Sequence, residues 1–286
     1  MAKKFKILVT GANGQLGQCI KQASSSFDHE FFYFSSSELD ITDKSSVEPV
    51  CKKINPDFII NAAAYTQVDK AEDEEEQAFA VNHIGVRNLT DHCKQSSCGL
   101  IHISTDYVFD GEKNSPYLET DEVNPQTVYG RSKLAGEVEI IDAQLEKFAI
   151  LRTSWLYSSF GHNFPKTMLK LAKDRDSLKV VNDQHGSPTS AHDLAEAILQ
   201  IIPQLTSENS GLYHFSNSGI TTWFGFAKEL LKQREIEIEL HPVFSDEFPA
   251  KAKRPKYSKL ENVSVTEVFN LEVKDWKISL DKTVFS

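Results

Sequence analysis

The sequence predicts a doubly wound α/β fold: a parallel sheet with helices on both faces, joined to a second, smaller mixed α/β lobe. Three observations carry that expectation. Short β-rich runs alternate with longer helical patterns through the first half of the chain. The strands are near-continuously apolar, as a sheet covered on both faces requires. The first of them opens into a glycine-rich turn that enters a helix.

Residues 5–10 (FKILVT) form the first expected strand, followed by a helix from about Gly14. Residues 30–34 precede a helix over 46–54, and residues 58–61 a helix running through 81–93. Residues 100–105 lead to a long loop, a helix over 129–145 and a strand at 148–153. After about Trp155 the rhythm changes to aromatic-rich loops, helices near 164–173, 190–202 and 222–233, and a Pro/Lys-rich stretch at 248–257. The expected division is a dinucleotide-binding domain over 1–155 that also receives roughly 183–212 and 257–275. A substrate-binding lobe would take 156–182, 213–256 and 276–286.

Composition narrows the function. With 31 Lys+Arg against 41 Asp+Glu the formal charge is −10, so the long-range field repels nucleic acid and anionic lipid. No apolar stretch approaches the ~20 residues that cross a bilayer, and the basic start Lys3, Lys4, Lys6 runs into too short an apolar segment for a signal sequence. The expectation is a cytoplasmic protein with a small-molecule substrate and neither a nucleic-acid nor a membrane partner. Cys19, Cys51, Cys93 and Cys98 make no disulfide framework or metal signature and are expected as reduced, buried thiols. The nine histidines contain no H-x-x-x-H pair, so neither a metal nor hydrolytic chemistry is expected. The acidic run 72–76 is expected at a helix N-terminus, where the macrodipole favours it.

The chemistry concentrates at strand ends. In Gly11-Ala12-Asn13-Gly14-Gln15-Leu16-Gly17, Gly11 permits the tight turn, Gly14 lets a pyrophosphate approach the backbone, and Gly17 lets helix and strand pack closely. Ser35-Ser36-Ser37 stands where an acidic residue would bind a ribose 2′-hydroxyl, so a 2′-phosphate is not repelled and NADP is mildly preferred to NAD. Asp40-Ile41 fits an adenine-edge pair, and Asp40 equally fits a helix cap. The small residues Ala62, Ala63 and Ala64, before Tyr65 and Thr66, leave room for a ligand across the sheet edge, or are simply packing residues. Thr105 ends the fourth strand at the same edge. Tyr129 and Lys133, four apart, share a helix face. The ammonium is expected near the phenol, lowering it from about 10 towards useful acid–base range.

Gly11/Gly14/Gly17, residues 61–64, Asn82-x-x-Gly85, Ser104-Thr105 and Tyr129/Lys133 together make the chain resemble the extended short-chain dehydrogenase/reductases, with their Rossmann sheet, over nearly its whole length. NAAAYTQVDKAE (61–72), STDYVFDG (104–111), VYGRSKLAGE (128–137), RTSWLY (152–157), NFPKTMLKLAK (163–173), VNDQHGSPT (181–189), GLYHFSNSG (211–219) and Arg254-Pro255 are similar to the rhamnose-forming branch of that family. The resemblance implies NADPH-dependent reduction of the C4 ketone of a dTDP-4-dehydro-deoxysugar, with NADH as a second candidate donor. It implies Tyr129 as proton donor, Lys133 on the nicotinamide ribose and Thr105 on the substrate carbonyl. The implied cofactor site comprises Gly11, Asn13, Gly14, Gln15, Leu16, Gly17, Asp40, Ile41, Ala63, Ala64, Tyr65 and Thr66 beside Tyr129 and Lys133. Asp106, Tyr107, Trp155, Asn163, Gln184 and Arg254 would join Thr105 at the sugar nucleotide. Trp155 also fits plain core, Gln184 a loop hydrogen bonder, and Arg254 a surface cation beside Lys251, Lys253 and Lys256. Two other functions share these motifs: an NAD-retaining nucleotide-sugar epimerase or dehydratase, and a non-catalytic reductase-like subunit. Residues 15–23 lack an acidic residue where some relatives have a glutamate supporting a metal-linked dimer, which leaves monomer and dimer open.

Overall fold

A computed structural model describes residues 3–248 and 250–280, so the last six residues of the lobe expected at 276–286 lie outside the described residues. Six strands form the main sheet: β1 (Lys6–Thr10), β2 (Glu30–Tyr33), β3 (Phe58–Asn61), β4 (Gly99–Thr105), β5 (Phe148–Thr153) and β6 (Gly211–His214). Their order is β6-β5-β4-β3-β1-β2, and every neighbouring pair is parallel. The helices used below are α1 (Gln15–Ala23), α2 (Lys44–Ile54), α3 (Gly85–Ser96), α4 (Val128–Ala143), α5 (Phe164–Asp174), α6 (Ala191–Ile201) and α7 (Trp223–Gln233).

Period-two alternation explains the layers. Ile7, Val9, Ile60 and Ile101 face one way and pack on Ile20 of α1 and Leu194 and Ile198 of α6. Leu8, Ile59, Leu100 and Ile150 face the other way, onto Val47 and Cys51 of α2, Val86 and Leu89 of α3 and Ile140 of α4. A third cluster of Tyr157, Met168, Leu178, Phe226 and Trp276 lies apart from these. It joins α5 and α7 to a parallel pair of short strands, Ser177–Val181 and Glu239–Val243. Strand order reverses between β1 and β3, which leaves a crevice at the carboxyl ends of the strands.

Two elements differ from expectation. In place of one helix through 81–93 the chain makes Val68–Ala71, Glu75–Phe79, a π turn at Ala80–Ile84, and α3. Asn82 in that turn accepts from Tyr65 N (2.9 Å) and donates to Tyr65 O (3.0 Å) and Ser132 Oγ (3.0 Å), so a tertiary demand reshapes the helix locally. The boundary expected at 212/213 falls inside β6, which pairs with β5 from Gly211 to His214. The acidic run does sit at the start of the Glu75–Phe79 helix, and all four cysteines are free and buried. Among the described residues no helix is long and apolar enough to cross a membrane, and no cluster of three or more His, Cys, Asp or Glu could hold a metal ion.

Candidate active site

The turn after β1 is built for close approach. Gly11 has φ +65°, and a Cβ there would lie 2.6 Å from Ala62 C and Ala63 N. A Cβ on Gly17 would lie 2.3 Å from Gly11 O, which is how α1 comes to press on its own entry turn. Gly14 caps α1, whose first turn carries no acidic residue, so the N–H groups and positive dipole end remain free for an anion. From this turn a cavity of about 570 Å³ runs past Asn61–Ala64 and Thr66, along the end of β4, to Tyr129, Lys133 and Trp155. These features fit a dinucleotide.

The opposite wall is the start of α4. Thr127 Oγ1 accepts from Gly130 N (3.0 Å) and Glu72 Oε1 from Val128 N (2.9 Å), fixing the first turn. A Cβ on Gly130 would stand 2.2 Å from Tyr107 O, so that turn lies hard against the loop after β4. The Tyr129 ring therefore meets Tyr107 edge-on at 5.5 Å. Thr105 Oγ1 donates to Asp106 Oδ1 (3.0 Å) and accepts from Tyr107 N (3.2 Å).

The electrostatics depart from the expectation. Burial pushes the Tyr129 phenol up to about 12, with the neighbouring Thr105 hydroxyl working in the opposite direction. Burial lowers Lys133 to about 8, opposed by Glu137. The expected lowering of Tyr129 by Lys133 is corrected, because the amine is directed elsewhere: Nζ donates to Ile103 O at 2.6 Å and lies 3.2 Å from His102 Nε2. Asp106 is raised to about 7, chiefly by burial.

Asn13, Gly14, Gln15, Leu16, Ala63, Ala64, Thr66, Thr105, Asp106, Tyr107, Tyr129, Lys133 and Trp155 all line the cavity. Gly11 and Gly17 shape its floor from behind. Tyr65 turns its hydroxyl to Glu74 (2.5 Å), away from the cavity lining. Asp40 accepts from Thr42 N and Oγ1 (2.9 and 2.8 Å). The cap of α2 is Asp43, which overturns the cap alternative for Asp40. Ile41 is a buried core residue. Asn163 and Gln184 stand one layer back. Asn163 caps α5 and donates to Gln15 Oε1 (2.8 Å), while Gln184 accepts from Trp223 Nε1 and donates to Ser245 Oγ (both 3.0 Å). Trp155, at φ +48°, stacks on Trp223 with ring centroids 3.6 Å apart and 10° between planes. Arg254 pairs through its guanidinium with Asp69 at 2.5 Å and is not among the residues lining the cavity, although its charge reaches Tyr107, which is.

Four residues escaped the sequence reading. Trp223 backs Trp155, His102 contacts Lys133, Glu72 anchors α4, and Glu38 follows β2. Glu38 Oε2 accepts from Ser35 N (2.9 Å) and Oγ (2.6 Å), so a carboxylate does stand where the serines suggested none. Its S-x-x-E spacing was the available signal.

The chain resembles dTDP-4-dehydrorhamnose reductases throughout. One from Sinorhizobium fredii is 40% identical, with 99% of this chain and 97% of that protein covered. A crystal structure of one from Bacillus anthracis in complex with NADP is 40% identical, with a TM-score of 0.94 and 99% of both chains covered. Another, from Clostridium acetobutylicum, is 42% identical, with a TM-score of 0.92 and 97% of both chains covered. The family model of the RmlD substrate binding domain matches residues 5–285, and the chain belongs to that family.

Proposed function

We propose that this protein reduces the C4 ketone of dTDP-4-dehydro-L-rhamnose to give dTDP-L-rhamnose, with NADPH as reductant. The observation that carries this reading is the meeting of Thr105, Tyr129 and Lys133 in one cavity whose far end is the glycine turn. Relatives bearing that activity in their names match essentially the whole chain. The two-lobe division serves the same reading: the sheet domain takes the dinucleotide, and the third apolar cluster supports the sugar side.

NADPH, when bound, supplies the hydride. The α1 N-terminus, with Asn13, Gly14 and Gln15, takes the pyrophosphate, and Asn163 holds the Gln15 amide in place. Lys133 binds the nicotinamide ribose. Thr105 and Tyr129 hold the ketone oxygen. With its phenol pushed up to about 12, Tyr129 enters the reaction protonated. Its proton passes to the alkoxide oxygen as charge develops there. Trp155 offers an apolar face to the deoxysugar. Arg254 acts at the rim, tying its segment to Asp69. A cytoplasmic site of action goes with this reading, since four free thiols suit a reducing compartment.

The test is incubation with dTDP-4-dehydro-L-rhamnose and NADPH, following nicotinamide oxidation and identifying the sugar. One NADP released per dTDP-L-rhamnose is the expected result. Sugar conversion without net NADPH consumption points to an epimerase and overturns the proposal.

A further inference from the structure

Beneath the cleft, four buried side chains form one unbroken polar line. Thr10 Oγ1 meets Asn61 Oδ1 at 2.7 Å, Asn61 Nδ2 meets His102 Nδ1 at 3.1 Å, and His102 Nε2 meets Lys133 Nζ at 3.2 Å. The members come from β1, β3, β4 and α4, and none is more than 1% exposed. Donor and acceptor bookkeeping fixes the direction of the line. An ammonium offers three donors and no acceptor, and one of the three goes to Ile103 O at 2.6 Å. The contact with His102 is then a hydrogen bond when Nε2 carries its lone pair, which puts the ring proton on Nδ1. Asn61 must then present its carbonyl oxygen to that proton and its amide nitrogen to Thr10, a rotation that leaves heavy-atom positions unchanged. The rotation gives up the bond from Ala63 N–H to Asn61 Oδ1 at 3.3 Å, and that N–H keeps Thr10 Oγ1 as its acceptor at 3.4 Å. The opposite direction, with a proton on Nε2, suits only a neutral amine.

We propose that His102 is a positioning residue for Lys133: held by Asn61 as the Nδ1–H tautomer, it accepts one N–H of the ammonium and so aims the remaining one into the cleft. The proposal rests on the reading of Lys133 as the cation that binds the nicotinamide ribose. Burial and the Lys133 charge hold His102 well below the usual imidazole range, so the ring stays neutral and available as an acceptor. Glu137, one turn on along α4, works against the burial of the Lys133 amine and is itself paired. It binds Arg152 of β5 with two hydrogen bonds (2.9 and 2.6 Å). Arg131 faces Glu75 at 3.9 Å and His83 faces Glu139 at 2.7 Å. Asp106 and Tyr129 line the same cavity as Lys133. Among the described residues, the hydrogen-bond partners of Lys133 Nζ are Ile103 O and His102.

The direct test uses the intact chain labelled with ¹⁵N-histidine, reading the His102 tautomer from its ring nitrogens near neutral pH. An unprotonated Nε2 is expected, and an Nε2–H ring through the active pH range overturns the proposal. His102→Leu keeps the bulk and removes the acceptor. It should weaken NADPH binding roughly tenfold or more in calorimetry and move the high-pH limb of kcat/KM down by about one unit. His102→Gln, with an amide oxygen as substitute acceptor, should recover most of both effects. A folded His102→Leu with ordinary NADPH affinity and an unmoved pH profile refutes the positioning role. If His102→Leu does not fold, the tautomer decides. Lys133→Met separates the two claims: unchanged NADPH binding in that variant removes the ribose role, and the positioning role with it.

Discussion

A methyl group on Gly130 tests whether α4 holds Tyr129 by direct contact with the β4 loop. In Gly130→Ala the added carbon would lie 2.2 Å from Tyr107 O and 3.0 Å from Pro125 Cβ, about 1.2 Å inside the shortest ordinary contact with that oxygen. Neither obstacle is a flexible side-chain tip, so the first turn of α4 must move by about that distance, carrying Tyr129 away from Thr105. A misplacement of about 1 Å in a reacting constellation costs on the order of 10² in rate. Overpacking costs about 1–3 kcal/mol, offset in part by alanine's helix propensity over glycine, which is ~1 kcal/mol in a helix interior and smaller in a first turn. Steady-state assay should therefore show kcat down about 10²-fold, with NADPH affinity changed only a few-fold because the glycine turn lies at the other end of the cavity. Thermal unfolding should show a melting temperature lowered by a few degrees. A variant with near-normal kcat and a raised melting temperature would show that the contact does not set the position of Tyr129.

The remaining predictions concern single side chains. Tyr129→Phe should lower kcat by about 10² or more while calorimetric NADPH affinity holds; near-normal turnover would remove Tyr129 as the proton donor. Lys133 is charged below about 8, so kcat/KM of the wild type should fall as pH rises through that value, and a profile without that limb counts against the role. Because its folded pKa lies below its ordinary 10.5, the unfolded chain binds the extra proton from about 8 up to 10.5. This group's contribution to stability therefore rises with pH across that window, visible in denaturant unfolding as a slope that Lys133→Met lacks. Trp223→Leu removes the partner stacked on Trp155 at 3.6 Å; sugar-nucleotide KM should rise and the near-ultraviolet dichroism of the pair vanish, with NADPH affinity kept. Glu38→Gln should favour NADPH over NADH by a few-fold and Ser36→Asp should do the reverse. Unchanged kcat/KM ratios in both would place this turn away from the adenosine ribose.

Most of the sheet was legible because its signals are local. The apolar runs of β1 to β5, the glycine turn and the four-residue spacing of Tyr129 and Lys133 each depend on residues close in sequence. β6 was not legible: Gly-Leu-Tyr-His is short and mixed, and its strand character comes from pairing with β5 some sixty residues earlier. Asp40 fitted the helix cap by residue type, yet Asp43 takes that place, accepting from Ser45 N. Arg254 could not be told from its neighbouring lysines, since its distinction is Asp69, 185 residues away in the chain. Lys133 makes the general point most sharply. The i,i+4 rule places its Cβ beside that of Tyr129, yet a four-carbon stem carries the amine well past that neighbour. Where it ends is decided by acceptors on another element, Ile103 O and His102 Nε2 of β4. Spacing therefore names the candidate pair, while the charge state of each member follows from burial and from the strand opposite, which is why the phenol is raised where the spacing alone implied that it should fall.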